Sequence, residues 1–240
     1  MSAYQLRAAG VTDVGNVRPT NQDRLLAEGD LVAVADGMGG HRGGEVASRL
    51  AVETLGEAFA DDPTTAGLAE AVRRANTAVW EAAAADPALA GMGTTIAAVA
   101  RVRDEGRERL AVVNVGDSRA YLFHDAHLTR LTSDHSLVAE LVRSGELTEE
   151  DAREHPQRNI LTRAVGVGPE VEPAVAVAEP APGDRLLLCS DGLFNELADD
   201  EITSVLASVP DPALAADELV RLAKDHGGAD NITVVVLDVG

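Results

Sequence analysis

Short apolar runs bounded by turn residues recur along the chain and predict β-strands. The clearest runs cover residues 31–35, 95–102, 110–115, 185–189 and 232–239. Weaker runs cover residues 5–11, 120–123 and 171–178.

Between these runs, apolar residues repeat at the three- and four-residue spacing of one buried helix face. Such stripes occupy residues 47–59, 68–79 and 202–209. Another helix is predicted to begin at Asp211-Pro212, an N-cap followed by proline at the first helical position, and to end at Gly227-Gly228. A polar helical stretch at 137–145 precedes a charged run at 146–154.

The order of these elements predicts an α+β fold. Two helices follow the first strand group directly and two more precede the last strand, so simple βαβ alternation fits poorly. We expect helix layers outside antiparallel sheets. The 240 residues suit a single domain, 1–240, with one large core.

The charge balance narrows the classes of partner. Forty acidic and 20 basic residues give a formal net charge of −20, which repels nucleic acids and anionic membranes. Clustered carboxylates also bind cations, because they repel one another unless a metal lies between them.

Cys189 is the only cysteine, so the chain forms no internal disulfide and no thiolate metal cage. No window approaches the roughly 18 to 20 consecutive apolar residues of a membrane span, and residues 1–10 lack the layout of a signal peptide. A cytoplasmic location fits this pattern. Both a whole protein and a catalytic domain taken from a longer, membrane-anchored chain are compatible with it.

Several apolar runs end in an aspartate beside a glycine. The pairs are Asp36-Gly37, Gly116-Asp117 and Asp191-Gly192. Asp230 precedes the last predicted strand, and Asp23 precedes the strand at 31–35. Such carboxylates are held at a sheet margin, and glycine lets the backbone turn sharply there. If the strand ends share one edge, the sequence predicts a common site for Mg²⁺ or Mn²⁺, which prefer oxygen ligands.

The sequence gives less support to a zinc site or a nucleotide-binding loop. The six histidines show no paired zinc-binding spacing. The glycine-rich stretch 37–44 follows a predicted strand, but it matches neither the dinucleotide fingerprint nor the P-loop.

Eight segments, in order across nearly the whole chain, resemble the metal-dependent type 2C protein phosphatases, and in particular their bacterial branch. They are TDVGNVRPTNQD (12–23), VADGMGGH (34–41), GTT (93–95), VGDSRAY (115–121), DHS (134–136), HPQRN (155–159), CSDGL (189–193) and DNIT (230–233). The resemblance implies a four-layer αββα sandwich, in which two antiparallel β-sheets are flanked by pairs of helices. It also implies hydrolysis of phosphoserine and phosphothreonine in proteins, by attack of a metal-bridging hydroxide on phosphorus.

The resemblance also implies roles for individual residues. Asp36 would bridge two Mn²⁺ or Mg²⁺ ions, the Gly37 carbonyl would bind one of them, and Asp191 and Asp230 would complete the other. Asp117, with Asp191, would hold a third, weaker ion. Asp23 would orient water on the metals, and Arg18 would grip the substrate phosphate with its planar fork.

The sequence departs from the family pattern at two positions. Gln22 stands where many members have Glu, which implies looser metal binding. Met38 stands where eukaryotic members have the histidine thought to protonate the leaving group, and His41 is the nearby candidate for that role, with a structural role as its alternative. Segment 132–168 resembles the mobile flap beside the active site of the family.

The implied partners are phosphorylated proteins, namely bacterial serine/threonine kinases and their substrates, which the protein would meet as a monomer. Two alternatives remain open. One is a binding module that recognises phosphoproteins without turnover, and Gln22 is the feature in its favour. The other is a related phosphatase that acts on an anti-sigma-factor antagonist.

Overall fold

The computed structural model describes residues 4–39, 42–179 and 181–240. Its strands form two five-stranded sheets, in which all neighbours are antiparallel. Sheet I contains, in spatial order, β1 (Leu6–Asp13), β12 (Ile232–Val239), β11 (Arg185–Cys189), β8 (Arg119–His124) and β9 (His127–Arg130). Sheet II contains β10 (Ala174–Ala178), β7 (Arg107–Val115), β6 (Ile96–Asp104), β3 (Leu31–Ala35) and β2 (Arg24–Glu28). A two-stranded ribbon pairs β4 (Gly37–Met38) with β5 (Gly93–Thr94).

Helices cover the outer face of each sheet. The long helices α1 (Gly43–Asp61) and α2 (Thr65–Ala85) share a core with sheet II, and a short 3₁₀ helix (Pro87–Leu89) follows them. The helices α6 (Asp199–Ser208) and α7 (Pro212–His226) share a core with sheet I. Three shorter helices complete the described chain, namely α3 (Leu137–Ser144), α4 (Glu149–Glu154) and α5 (Asp191–Phe194). No helix in the described ranges is long and apolar enough to cross a membrane.

Strand periodicity explains the four layers. In β3, Leu31 and Ala33 pack toward α1 and α2, whereas Val32 and Val34 pack between the sheets. The same two-residue alternation divides β12 between the helix side and the inter-sheet core. Because both faces of these central strands are buried, almost every position in their sequences is apolar. The αββα architecture predicted from the sequence is confirmed.

The boundary signals of α7 act as predicted. The Asp211 carboxylate accepts the backbone N–H groups of Ala213 and Leu214 at 2.9 and 3.2 Å, and the helix ends at Gly227. The pattern of apolar runs does not predict β2 and β9. Both are edge strands with only partly buried positions, so they lack an apolar run.

Candidate metal centre

Carboxylates from both sheets meet at one end of the sandwich. A cavity of about 430 Å³ lies there. Asp36 follows β3, Asp117 follows β7, Asp191 follows β11 and Asp230 precedes β12. The cavity is lined by these four aspartates and by Arg18, Gln22 and Gly37. The predicted convergence of distant strand ends on one site is therefore present in the fold.

The backbone of Asp36 is fixed by two buried threonines. The Thr94 hydroxyl and the Thr95 N–H donate to the Asp36 carbonyl at 2.8 and 2.9 Å, and the Asp36 N–H donates to the Thr95 hydroxyl at 2.9 Å. Burial, and then the negative charges of Asp23 and the other aspartates, raise the pKa of Asp36 well above its ordinary value.

Asp23 lies behind the cavity and is only 1% exposed. Its Oδ2 atom accepts hydrogen bonds from the hydroxyls of Ser190 and Thr233, both at 2.7 Å. Its Oδ1 atom is buried and has no hydrogen-bond partner among the described residues. Burial raises the pKa of Asp23 to about 7, although the two hydroxyl donors lower it.

The pKa values of Asp191 and Asp117 are also raised by burial and by the charges of neighbouring aspartates. Burial, followed by the charge of Asp230, raises the pKa of Asp191 to about 6. Burial, followed by the charge of Asp191, raises the pKa of Asp117 to about 7. Asn195 donates to Asp191 Oδ2 at 3.1 Å, whereas Oδ1 is buried without a partner in the described part of the chain.

Asp230 is paired with Arg18. The Arg18 guanidinium donates to Asp230 Oδ2 at 2.6 Å, and the other carboxylate oxygen accepts the N–H of Asn231 at 2.8 Å. The Asn231 amide donates to the carbonyls of Val14 and Thr20, both at 3.0 Å, and its oxygen accepts the Gln22 N–H at 2.8 Å. Asn231 thus fixes the loop that carries Arg18 beside the aspartate cluster.

Gly37 is required by close backbone packing. A Cβ atom at this position would lie 2.1 Å from the Gly44 carbonyl oxygen and 2.5 Å from that of Gln22. Any side chain here would therefore displace the backbone on both sides, which explains the glycine after Asp36.

The donor chemistry of this cavity fits hard divalent cations. Two buried carboxylate oxygens, Asp23 Oδ1 and Asp191 Oδ1, have no hydrogen-bond partner among the described residues. Burial, and then the repulsion of neighbouring carboxylates, raises the pKa of both groups. Carboxylates in this state bind either protons or cations. Within residues 4–39, 42–179 and 181–240, however, no three His, Cys, Asp or Glu side chains already form a ligand set around one point. Both oxygens of Asp230 are in fact occupied by Arg18 and Asn231.

The remaining sequence candidates fall into three groups. Met38 lines the cavity, and His41 lies outside the described residues. Asn159 and Leu161 of segment 132–168 also line the cavity. The sequence analysis assigns no role to five supporting residues, Thr94, Thr95, Ser190, Asn231 and Thr233. All five lie in the family-like motifs 93–95, 189–193 and 230–233, and Thr95 and Asn231 line the cavity themselves.

Comparison with protein families gives one extended match. A family model described as protein phosphatase 2C matches residues 18–224. The serine/threonine protein phosphatase PstP of Mycobacterium tuberculosis (H37Rv) is 44% identical over 237 residues, which cover 98% of this chain and 45% of PstP. The chain thus spans less than half the length of that relative. The serine/threonine phosphatase stp of Listeria monocytogenes (EGD-e) is 40% identical, with 95% of this chain and 93% of stp covered.

Solved structures agree closely with the fold. The PPM Ser-Thr phosphatase MsPP from Mycobacterium smegmatis, in complex with cacodylate, has a TM-score of 0.89 and 48% identity, with 98% of each chain covered. The catalytic domain of PstP in complex with two manganese ions has a TM-score of 0.88 and 42% identity, again with 98% of each chain covered.

Proposed function

The chain belongs to the protein phosphatase 2C family, and from this premise we propose that it is a metal-dependent hydrolase of phosphoserine and phosphothreonine in proteins. The observation that carries the proposal is the meeting of Asp36, Asp117, Asp191 and Asp230 with Arg18 in one cavity. Relatives named serine/threonine phosphatases at 40–44% identity support it.

In this proposal the cluster holds Mn²⁺ or Mg²⁺. Asp36, the Gly37 carbonyl, Asp191 and Asp230 would hold two ions, and Asp117 with Asp191 would hold a third, weaker one. Such ions lower the pKa of coordinated water and balance negative charge on a phosphoryl group. The related PstP catalytic domain, which was solved with two manganese ions, supports the count of two.

The side chains around the cluster would orient the reactants. Arg18 is 54% exposed at its side chain and borders the cavity, so its planar fork can bind phosphate oxygens. The Oδ2 atom of Asp23 accepts hydrogen bonds from the hydroxyls of Ser190 and Thr233. Its Oδ1 atom would therefore be available to orient water. Burial raises the pKa of Asp23 to about 7 in the metal-free protein, and cations held by the neighbouring aspartates would favour its ionised form.

The acid that protonates the leaving serine or threonine oxygen is assigned in this proposal to His41, on sequence grounds alone. Segment 132–168 would act as the flap of a single catalytic domain, because Asn159 and Leu161 border the cavity.

The protein would act in signalling as a cytoplasmic monomer. It would dephosphorylate bacterial serine/threonine kinases and their substrates.

A direct test measures phosphate release from a phosphothreonine peptide, with Mn²⁺, with Mg²⁺ and after chelation. We expect turnover that requires the cation. A binding module without turnover is the alternative that Gln22 favours, since an amide binds cations more weakly than a carboxylate. Calorimetric binding of the peptide without phosphate release, in the presence of every divalent cation tried, would select that alternative.

A further inference from the structure

A second cavity of about 540 Å³ adjoins the metal centre. It lies between segment 132–168 and the residues around α5. Asp117, Asn159 and Asp191 line both cavities, so the two cavities are adjacent. Five arginines line the second cavity, namely Arg119, Arg130, Arg143, Arg153 and Arg158.

Two of these arginines share one carboxylate partner, Asp134. Arg119 donates to Asp134 through Nε and Nη2, the shortest distance being 2.7 Å, and its guanidinium lies 3.5 Å from the centre of the Phe194 ring. Arg130 lies 3.6 Å from the same Asp134 carboxylate. Arg119, Asp134 and Phe194 therefore form a fixed wall of the cavity.

The other three arginines are exposed and have no carboxylate partner among the described residues. Arg143 donates only to the Ala139 carbonyl, at 3.3 Å, and no ion pair involves Arg143, Arg153 or Arg158 in the part of the chain that the structure describes. Most of the other Lys and Arg side chains form ion pairs among the described residues, as expected for a chain of net charge −20. We call these three arginines, which border one cavity, the arginine cleft.

Five carboxylates also line the cavity, but within the described residues none of them forms an ion pair with these three arginines. Asp134 is paired with Arg119 and Arg130, and Asp117 and Asp191 belong to the metal centre. Glu149 and Asp199 remain, and neither forms an ion pair with the arginine cleft. The cleft therefore offers guanidinium groups to an anion in an otherwise acidic protein.

We propose that the arginine cleft binds an anionic side chain, either a carboxylate or a second phosphoryl group, that flanks the scissile phosphoresidue in the protein substrate. The inference rests on the proposed phosphatase function and specifies its substrates. A substrate segment in extended conformation advances roughly 3.3 Å per residue, so a side chain a few positions away reaches an adjoining cavity. Guanidinium groups match the oxygens of both anions. Such pairing selects among substrates more than it accelerates the chemical step.

The test compares phosphothreonine peptides that differ only at the flanking positions, which carry alanine, glutamate or a non-hydrolysable phosphonate. Three proteins are assayed with Mn²⁺: the wild type, the triple variant Arg143→Gln/Arg153→Gln/Arg158→Gln, and a control triple variant Arg49→Gln/Arg74→Gln/Arg221→Gln. The control removes the same number of charges from exposed helix positions that do not line the cavity. p-Nitrophenyl phosphate, which has no flanking residues, reports on the metal centre alone.

We expect anionic flanks to raise kcat/KM roughly tenfold, mainly through KM, in the wild type and the control variant, since three exposed ion pairs each contribute a factor of a few. The cleft variant should lose this preference and retain p-nitrophenyl phosphate turnover. Equal use of all three peptides by the wild type would overturn the inference, as would an equal loss of preference in the control variant.

The failure of the cleft and the failure of the proposed function are distinguishable. If the wild type hydrolyses neither p-nitrophenyl phosphate nor any peptide, the phosphatase proposal is wrong. Calorimetric binding of the same peptides to Asp36→Asn proteins, with and without the cleft substitutions, then still tests the cleft. Tighter binding of anionic flanks that depends on the three arginines supports the inference, and equal binding of all peptides contradicts it.

Discussion

Arg18 and Asp230 lie 212 positions apart in the chain and are joined by an ion pair of 2.6 Å at the edge of the aspartate cluster. In the proposed mechanism Arg18 binds the substrate phosphate and Asp230 binds a metal ion. Because one carboxylate oxygen cannot serve both partners equally, cation binding at Asp230 would free the guanidinium for phosphate. The pair would thus couple the two proposed binding functions.

Substitution of Arg18 should weaken substrate binding more than it slows the chemical step. We expect Arg18→Ala to raise KM for a phosphothreonine peptide by roughly 10- to 100-fold, since a charged hydrogen-bonded pair with phosphate is lost. Arg18→Lys should recover only part of the loss, because an ammonium group lacks the planar fork. Steady-state kinetics check this, and an unchanged KM in both variants would contradict the assignment.

Asp36→Asn should separate stability from activity. The amide removes a buried charge that is repelled by Asp23 and the other aspartates, so the metal-free variant should be more stable than the wild type. Phosphopeptide turnover should fall at least about 100-fold, because a central cation ligand is lost. Thermal unfolding without and with Mn²⁺ provides the second readout. The variant should show a higher Tm without metal and a smaller rise in Tm when Mn²⁺ is added.

The metal-free protein should lose stability as pH rises from about 4 to about 7. The folded-state pKa is raised from 3.8 to about 7 for Asp23 and Asp117 and to about 6 for Asp191. Between the unfolded and folded pKa values the native state binds more protons, so the free energy of unfolding decreases with pH, by on the order of 1 kcal/mol per pKa unit for each group. Urea unfolding at several pH values measures the slope. Saturating Mn²⁺ should flatten it, and a stability that rises over this interval would contradict the raised pKa values.

Loss of the Ser190 hydroxyl should shift the pH dependence of activity. The hydrogen bonds from Ser190 and Thr233 lower the pKa of Asp23, so Ser190→Ala should raise that pKa further. If ionised Asp23 orients water, the acidic limb of the kcat profile should move to higher pH by roughly one unit. Ser48→Ala is the matched control, because Ser48 is equally buried but donates to the Gln22 carbonyl instead. A lower maximal kcat, with the acidic limb of the pH profile at the same pH as in the wild type, would indicate a purely structural role for Ser190.

The central strands and long helices could be predicted from the sequence because their burial leaves a clear pattern. The run at 232–239 has the bounds of β12, since both of its faces are buried. The strand β2 was missed because it lies at a sheet edge and its ends are Arg24 and Glu28. The helix α5 has only four residues and therefore shows no apolar stripe.

The site could be predicted as far as its carboxylates, because an aspartate beside a glycine after an apolar run indicates a strand end. The residues that hold these carboxylates could not be assigned in the same way. Ser190 and Thr233 contact Asp23 across 167 and 210 positions of the chain, and Thr95 contacts Asp36 across 59. Such partners are determined by the packing of the two sheets, which no local pattern specifies.

Binding of divalent cations by the aspartate cluster is the central requirement of the proposed function. Anomalous diffraction from crystals soaked in Mn²⁺ measures the ion positions directly. We expect two strong peaks, with Asp36 between them and Asp191 and Asp230 on one of them, and a weaker third peak beside Asp117. Peaks that lie away from Asp36, or an empty cluster at saturating Mn²⁺, would contradict the account.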